Sequence, residues 1–243
     1  MTNRDGLRAV LFDFSGTLFR LEENDSWFDD ITVNEKAVDG HVQAELMRRV
    51  TAPTGSSVPM SEEQQHNWAN RDLEPHLHRE AYLHVLRESG LTGEDAASLY
   101  PKLVDPASWT PYPDTAAVLN GLRAAGIKTA VVSNVAFDLR PALAAAGTAA
   151  DAYVLSFEVG AVKPDPVIFE TALTLLGVTP SEALMVGDSE EADGGARVLG
   201  CAFALVDPLP TAERPDGLIT ALAEHGISVQ GPTGADGLGS HDG

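Results

Sequence analysis

Cysteine is nearly absent from this chain: Cys201 is the only one in 243 residues. An intramolecular disulfide and a cysteine-based zinc site are thereby excluded. Cys201 opens the apolar run CAFALV, where a buried, inert thiol is expected rather than a nucleophile. Long apolar runs are missing too. No stretch approaches the roughly 18 residues needed to cross a bilayer, and the first residues, MTNRDGLRAV, carry no signal-peptide pattern. The expected location is the cytoplasm. Basic residues are scarce, 16 against 36 acidic ones, for a formal charge of −20. Such a field repels nucleic acid and anionic membrane surfaces, and neither is expected as a partner. It also opposes an anionic substrate. Any phosphate site must therefore be built locally, from a metal ion, a lysine and backbone N–H groups.

What is present is ample apolar material, 44% of the residues, in short runs. Ala9–Phe12, Thr129–Val132, Tyr153–Leu155, Leu184–Val186 and Cys201–Val206 read as buried parallel strands. Helical patterns fall at about 115–125, 137–146, 165–176, 191–199 and 211–225. This alternation predicts an α/β fold with a doubly wound, Rossmann-like parallel sheet. The interval 20–108 breaks the rhythm. It is rich in charged residues, Trp and His, offers no convincing strand, and predicts helices at Glu35–Arg49 and Glu74–Ser89 with a loop at 51–59. The stretch SEEQQHNWANRDLEPHLHREAYLHVL is amphipathic at helical spacing, with Trp68, Leu73, Leu77, Tyr82, Val85 and Leu86 available for a buried face. The expected division is a core of 1–19 and 109–228 with an inserted α-helical cap at 20–108. The tail 229–243 holds five Gly and no apolar pattern, and is expected to be disordered.

In open α/β sheets, ligands bind at the carboxyl ends of the strands, and the expected strands end in polar groups there. The first gives VLFDFSGTL, with Asp13 followed by Ser15, Gly16 and Thr17. The second gives VVSN, with Ser133 and Asn134. Lys163 precedes Pro164-Asp165-Pro166, a helix-starting signal. The fourth gives MVGDSEEADGGA, with Asp188 at the strand end and Asp193 five residues on. An Asp that closes a run of Val, Leu and Phe is costly to bury without a partner, which favours function over a turn role for Asp13 and Asp188. Ser133 and Asn134 also suit a helix cap, and Asp193 a first helical turn.

The set DFSGT, VVSN, VKPDPVIF and GDSEEADGGA, in this order and spacing, resembles the four motifs of the haloacid dehalogenase-like superfamily. The nearest subgroup carries a helical cap between the first and second motifs. The resemblance implies a Mg²⁺-dependent hydrolase of a small phosphorylated metabolite, acting through an aspartyl-phosphate at Asp13. It assigns to Mg²⁺ the carboxylates of Asp13 and Asp188, the Ser15 carbonyl and a direct or indirect contact from Asp193. Ser133 and the Asn134 N–H would hold phosphoryl oxygens. Lys163 would stabilise the transferring charge and keep Asp13 ionised.

One position departs from the pattern. Phosphatases of this superfamily carry a second Asp two residues after the nucleophile, and this chain has Ser15 there. A serine hydroxyl cannot donate a proton to the leaving group, a contribution worth about 10²–10⁴ in rate, or roughly 3–5 kcal/mol. Either the substrate has a good leaving group, or a cap residue supplies the proton; His41, His66, His76 and His78 are the candidates. Two alternatives follow. Carbon–halogen hydrolases of the superfamily have a non-acidic residue at this position but dispense with the metal, whereas GDSEEAD keeps both acids. A phosphate-ligand-binding regulator without turnover would have no need of Asp13, Lys163 and Asp188. A cap over the site implies a closable pocket and a small-molecule substrate. Trp27 and Phe28 are candidates to line its entrance. Arg71 and Arg79 could meet a second anionic group, although a solvated helix face is the expected role. Monomer and dimer are both compatible with the sequence.

Overall fold

The computed structural model describes residues 6–22, 25–29, 31–33, 36–51 and 58–229. Of the tail expected to be disordered, 230–243 lie outside the described residues, whereas Val229 packs into the core. Along the chain come β1 (Ala9–Phe12), β2 (Phe19–Leu21), β3 (Thr32–Val33) and β4 (Lys36–Ala37), then α1 (Gly40–Thr51), α2 (Glu62–Ala69), α3 (Pro75–Glu88) and α4 (Gly93–Val104). After β5 (Trp109–Pro111) the chain alternates: α5 (Thr115–Ala124), β6 (Lys128–Ser133), α6 (Arg140–Ala145), β7 (Ala152–Leu155), α7 (Ser156–Val159) and α8 (Pro166–Leu176). It closes with β8 (Ala183–Gly187), β9 (Ala202–Leu205) and α9 (Gly217–Glu224).

Strands β1 and β6 to β9 form one parallel sheet in the order β7-β6-β1-β8-β9. Successive side chains of a strand point to opposite faces, and here both faces are covered. Val10 and Phe12 join Leu184 and Val186 in one apolar cluster with Leu119 of α5, Leu143 of α6 and Leu222 of α9. Ala9 and Leu11 join Ala183 and Met185 in a second, under Ile168, Phe169 and Leu173 of α8. This is the doubly wound α/β fold expected from the continuous apolar runs. The chain departs from β1 to both sides of the sheet, so a crevice opens at the carboxyl end of β1, between β6 and β8.

Helices α1 to α4 surround a third cluster that includes Leu46, Val50, Trp68, Val85, Leu86 and Leu99. Trp27 and Phe28 are buried in it, so they are packing residues and not lining of a site entrance. The interval 20–108 is not free of strand. Strand β2 pairs antiparallel with β5, Leu21 opposite Trp109, and β3 pairs with β4. Two- and three-residue strands are too short to display a period, and β2 finds its partner about 90 residues away. The helix expected from Glu35 begins at Gly40, because Lys36–Ala37 is taken by β4. The 191–199 segment is a 3-10 helix, Asp193–Leu199, where two adjacent glycines weaken the α-helix. In 211–225 the α-helix starts only at Gly217, since Pro215 disfavours helical geometry at Arg214. Among the described residues, no helix is long and apolar enough to cross a membrane.

Candidate active site

Strand β1 ends where its last neighbour bond is made: the Asp13 N–H donates to Val186 O at 3.0 Å. The chain then turns sharply, with Phe14 O accepting from the N–H groups of Leu18 and Phe19 at 3.0 and 2.8 Å. Gly16 sits in this turn at φ +77°, and a Cβ there would stand 2.4 Å from Asp188 Oδ2. Glycine is therefore required twice over, by the left-handed backbone and by the neighbouring carboxylate.

Four charged side chains converge at this strand end. The Lys163 ammonium donates to Asp13 Oδ1 and to Asp193 Oδ1, each at 2.6 Å, with all three side chains buried. Asp188 follows β8, and carboxylate oxygens of Asp13, Asp188 and Asp193 lie within 4.8 Å of one another. The loop carrying Lys163 is held from both sides by Asn134: its Oδ1 accepts the Lys163 N–H at 2.7 Å, and its Nδ2 donates to Lys163 O at 3.1 Å. Asp165 then caps α8, accepting from the Val167 N–H at 3.0 Å. Ser133 ends β6 beside this loop and is buried; its hydroxyl makes no hydrogen bond to the described residues. Ser15 stands exposed in the turn after the nucleophile position.

Three carboxylates against one ammonium leave an excess of buried negative charge. Burial pushes the Asp13 carboxyl up to about 6, against the opposing pull of Lys163. Burial, followed by the charges of Asp13 and Asp193, pushes Asp188 up to about 7. Burial works against the charge of Lys163, but the facing carboxylates of Asp13 and Asp193 hold it above its ordinary value. A hard divalent cation among these oxygens would relieve the excess, and Mg²⁺ takes oxygen donors of this kind. The donor set fits. The Asp13 and Asp188 carboxylates are the groups that could hold the ion. Both oxygens of Asp193 are already engaged, by Lys163 and by the Ser189 N–H at 3.0 Å, so Asp193 orients the lysine and its own loop.

Several residues of this end of the sheet carry no local signal in the sequence. Arg214 is buried beneath the first turn, donating from Nη1 to Gly16 O at 2.7 Å and Asp207 O at 3.0 Å, and from Nη2 to Thr17 O. Its guanidinium lies over the Tyr112 ring, 3.2 Å from the centroid. Only the tertiary fold joins this arginine to a turn about 200 residues earlier. Gly187 could have been noticed as the glycine before Asp188: a Cβ there would stand 2.2 Å from the Asp193 carboxylate. The histidines considered as proton donors do not suit that role. His41, His66 and His76 are exposed, and His78 is held neutral, pushed down to about 3 by burial and then by Arg71. Arg71 is not on a solvated face; it packs over the Trp68 ring at 4.3 Å and lies 3.7 Å from Asp72. Arg79 is exposed, as expected.

Comparison with known proteins agrees with this architecture. A family model of haloacid dehalogenase-like hydrolases matches residues 7–197, and the chain belongs to that family. It is 40% identical over 109 residues to the phosphoserine phosphatase of Thermus thermophilus, covering 43% of this chain and 44% of that one. It is 30% identical over 213 residues to the (S)-2-haloacid dehalogenase of Xanthobacter autotrophicus, covering 82% of this chain and 75% of that one. The solved structure of the L-2-haloacid dehalogenase from Xanthobacter autotrophicus aligns with a TM-score of 0.59 at 28% identity, covering 88% of this chain and 83% of that one. The chain spans about half the length of several curated relatives that it matches.

Proposed function

We propose that this hydrolase cleaves small phosphate esters with bound Mg²⁺ and Asp13 as its nucleophile. The observation that carries the reading is the third carboxylate. Asp13 and Asp193 already share Lys163, and Asp188 adds a negative charge within 4.8 Å that the protein leaves unbalanced. A site that only needed a carboxylate nucleophile and a lysine would gain nothing from it. When bound, the cation supplies charge neutralisation between Asp13, Asp188 and the phosphoryl group. Lys163 fixes Asp13 through Oδ1 and leaves Oδ2 to attack phosphorus in line. The ester P–O bond breaks, and water then hydrolyses the aspartyl-phosphate. Lys163 and the Ser133 hydroxyl would hold phosphoryl oxygens. Helices α1 to α4 act as a cap over the crevice, roughly residues 20–108, reached through the β2–β5 ribbon. Such a cap restricts the substrate to a small molecule.

A second reading has its own support: the (S)-2-haloacid dehalogenase match covers most of both chains, and Ser15 is non-acidic. In that reading Asp13 would displace halide from carbon. One experiment separates the two. Phenyl phosphates with Mg²⁺ or with chelator, and (S)-2-chloropropionate without metal, are offered to the natural protein, Asp13→Asn and Ser15→Asp. Phosphate release that needs Mg²⁺, vanishes in Asp13→Asn and persists in Ser15→Asp is the expected result. Halide release independent of metal, with no phosphate release, would replace it by the dehalogenase reading.

A further inference from the structure

A phosphoryl transfer through Asp13 lacks an acid at Ser15, and the backbone of another aspartate, Asp72, is tied to the same end of the sheet. Asp72 lies in the turn between α2 and α3, far from the family motifs in sequence. Its carbonyl accepts from Ser156 Oγ at 2.5 Å, and that oxygen in turn accepts from the Val135 N–H at 2.8 Å. Val135 directly follows Ser133 and Asn134. The turn is thus pinned to the carboxyl end of β6, beside the residue that holds Lys163 from both sides. The Asp72 side chain is 17% exposed and lies 3.7 Å from Arg71, too far for a tight ion pair.

The charged and titratable groups that act on it are Arg71 on its own turn, Lys163 from the core and Tyr82 on α3. Burial raises the Asp72 carboxyl, with Arg71 and Lys163 pulling it back. A carboxyl group raised in this way keeps a protonated fraction nearer to neutral pH. Of the histidines of the same segment, His41, His66 and His76 are exposed, His84 is engaged by Gln64 and the Pro59 carbonyl, and His78 is held neutral.

We propose that Asp72 is the catalytic acid and base of this enzyme, delivered to the site by the turn between α2 and α3 in place of an aspartate at Ser15. The inference rests on the phosphohydrolase reading above. In the first step the Asp13 Oδ2–P bond forms and the ester P–O bond breaks, and the Asp72 proton passes to the leaving oxygen. In the second, the Asp72 carboxylate takes a proton from the water that attacks the aspartyl-phosphate. Inorganic phosphate leaves and both carboxyl groups return to their starting state.

The test uses 4-nitrophenyl phosphate and phenyl phosphate, which share a shape but differ in leaving-group acidity. A protonated leaving oxygen makes rate nearly independent of that acidity. Asp72→Asn should therefore lose kcat on phenyl phosphate by on the order of 10²-fold or more, and much less on 4-nitrophenyl phosphate. KM should hardly move, and the alkaline limb of the phenyl phosphate pH profile should disappear. Equal losses on both esters, or none, overturn the proposal. The natural protein gives the same test without substitution: a shallow dependence on leaving-group acidity supports the acid, and a steep one overturns it. Asp72→Ser, checked by circular dichroism, guards against a misfolded Asp72→Asn. If Asp13→Asn is dead while Asp72→Asn loses both esters equally, only this inference falls. If Asp13→Asn keeps phosphate release, the phosphohydrolase reading falls with it.

Discussion

Magnesium should stabilise this protein at about pH 8 and scarcely at all at about pH 5, because protons and the ion compete for the same carboxylates. Asp13 and Asp188 sit at about 6 and about 7, against about 3.8 in an unfolded chain. Between those limits the folded, metal-free protein binds more protons than the unfolded one, so its stability falls as pH rises from about 4 to 7. The loss would be about 3 kcal/mol for Asp13 alone, at about 1.4 kcal/mol per pH unit. Asp188 adds to it by less than its separate share, since the two acids titrate together. At about pH 5 an ion must first displace both protons, costing up to about 4 kcal/mol, or nearly a thousandfold in affinity.

At a hundred times its dissociation constant, Mg²⁺ adds about 2.7 kcal/mol. For a chain of this size that is a rise of about 5–10 °C in Tm at about pH 8. Thermal unfolding at both pH values, with Mg²⁺ or chelator, measures the difference. Asp188→Asn should raise the metal-free Tm at about pH 8 and abolish the Mg²⁺ response. An equal Mg²⁺ shift at the two pH values, or one that survives in Asp188→Asn, would refute the assignment of these carboxylates as a cation site.

Three further outcomes follow from single contacts. Lys163→Met leaves the Asp13 and Asp193 carboxylates buried without their ammonium, and should lower unfolding free energy by about 3–5 kcal/mol near pH 8, less near pH 5 where the acids are protonated; denaturant titration at both pH values reads this. Gly187→Ala forces a methyl against Asp193, and should cost about 1–3 kcal/mol in denaturant unfolding and more than tenfold in turnover by moving the lysine's partner. His78 is buried, and burial followed by the charge of Arg71 holds it at about 3, so the unfolded chain takes up a proton that the folded one refuses. Stability contributed by neutral His78 is present above about pH 6.5 and is lost as pH falls toward 3; His78→Gln should flatten that acid slope by about one proton, as followed by unfolding free energy against pH.

Much of the sheet was legible in the sequence because strands buried on both faces need apolar residues without interruption. AVLF, ALMVG and KTAVVS satisfy that need locally, and the polar residue that ends each run marks where the strand meets solvent or ligand. The grouping of Asp13 with Asp188 follows from the rule for open sheets, once both are seen to close apolar strands. The helices of 40–104 were legible in part, through their amphipathic spacing, whereas the ribbons β2–β5 and β3–β4 were not. Their few residues have no period to read, and β2 pairs with a strand on the far side of the inserted helices.

The sequence by itself determined the alternation of strand and helix, the acidic excess, and the loss of the usual acid at Ser15, since each is a property of neighbouring residues or of composition. Tertiary structure alone decided which groups meet. Asn134 grips the Lys163 loop, Arg214 supports the turn after Asp13, and Asp72 reaches the end of β6, because sheet order and helix packing bring distant segments within hydrogen-bonding distance. It also decided the charge state of Asp13, Asp188 and His78, which depends on burial and on opposing charges that no local stretch of sequence contains.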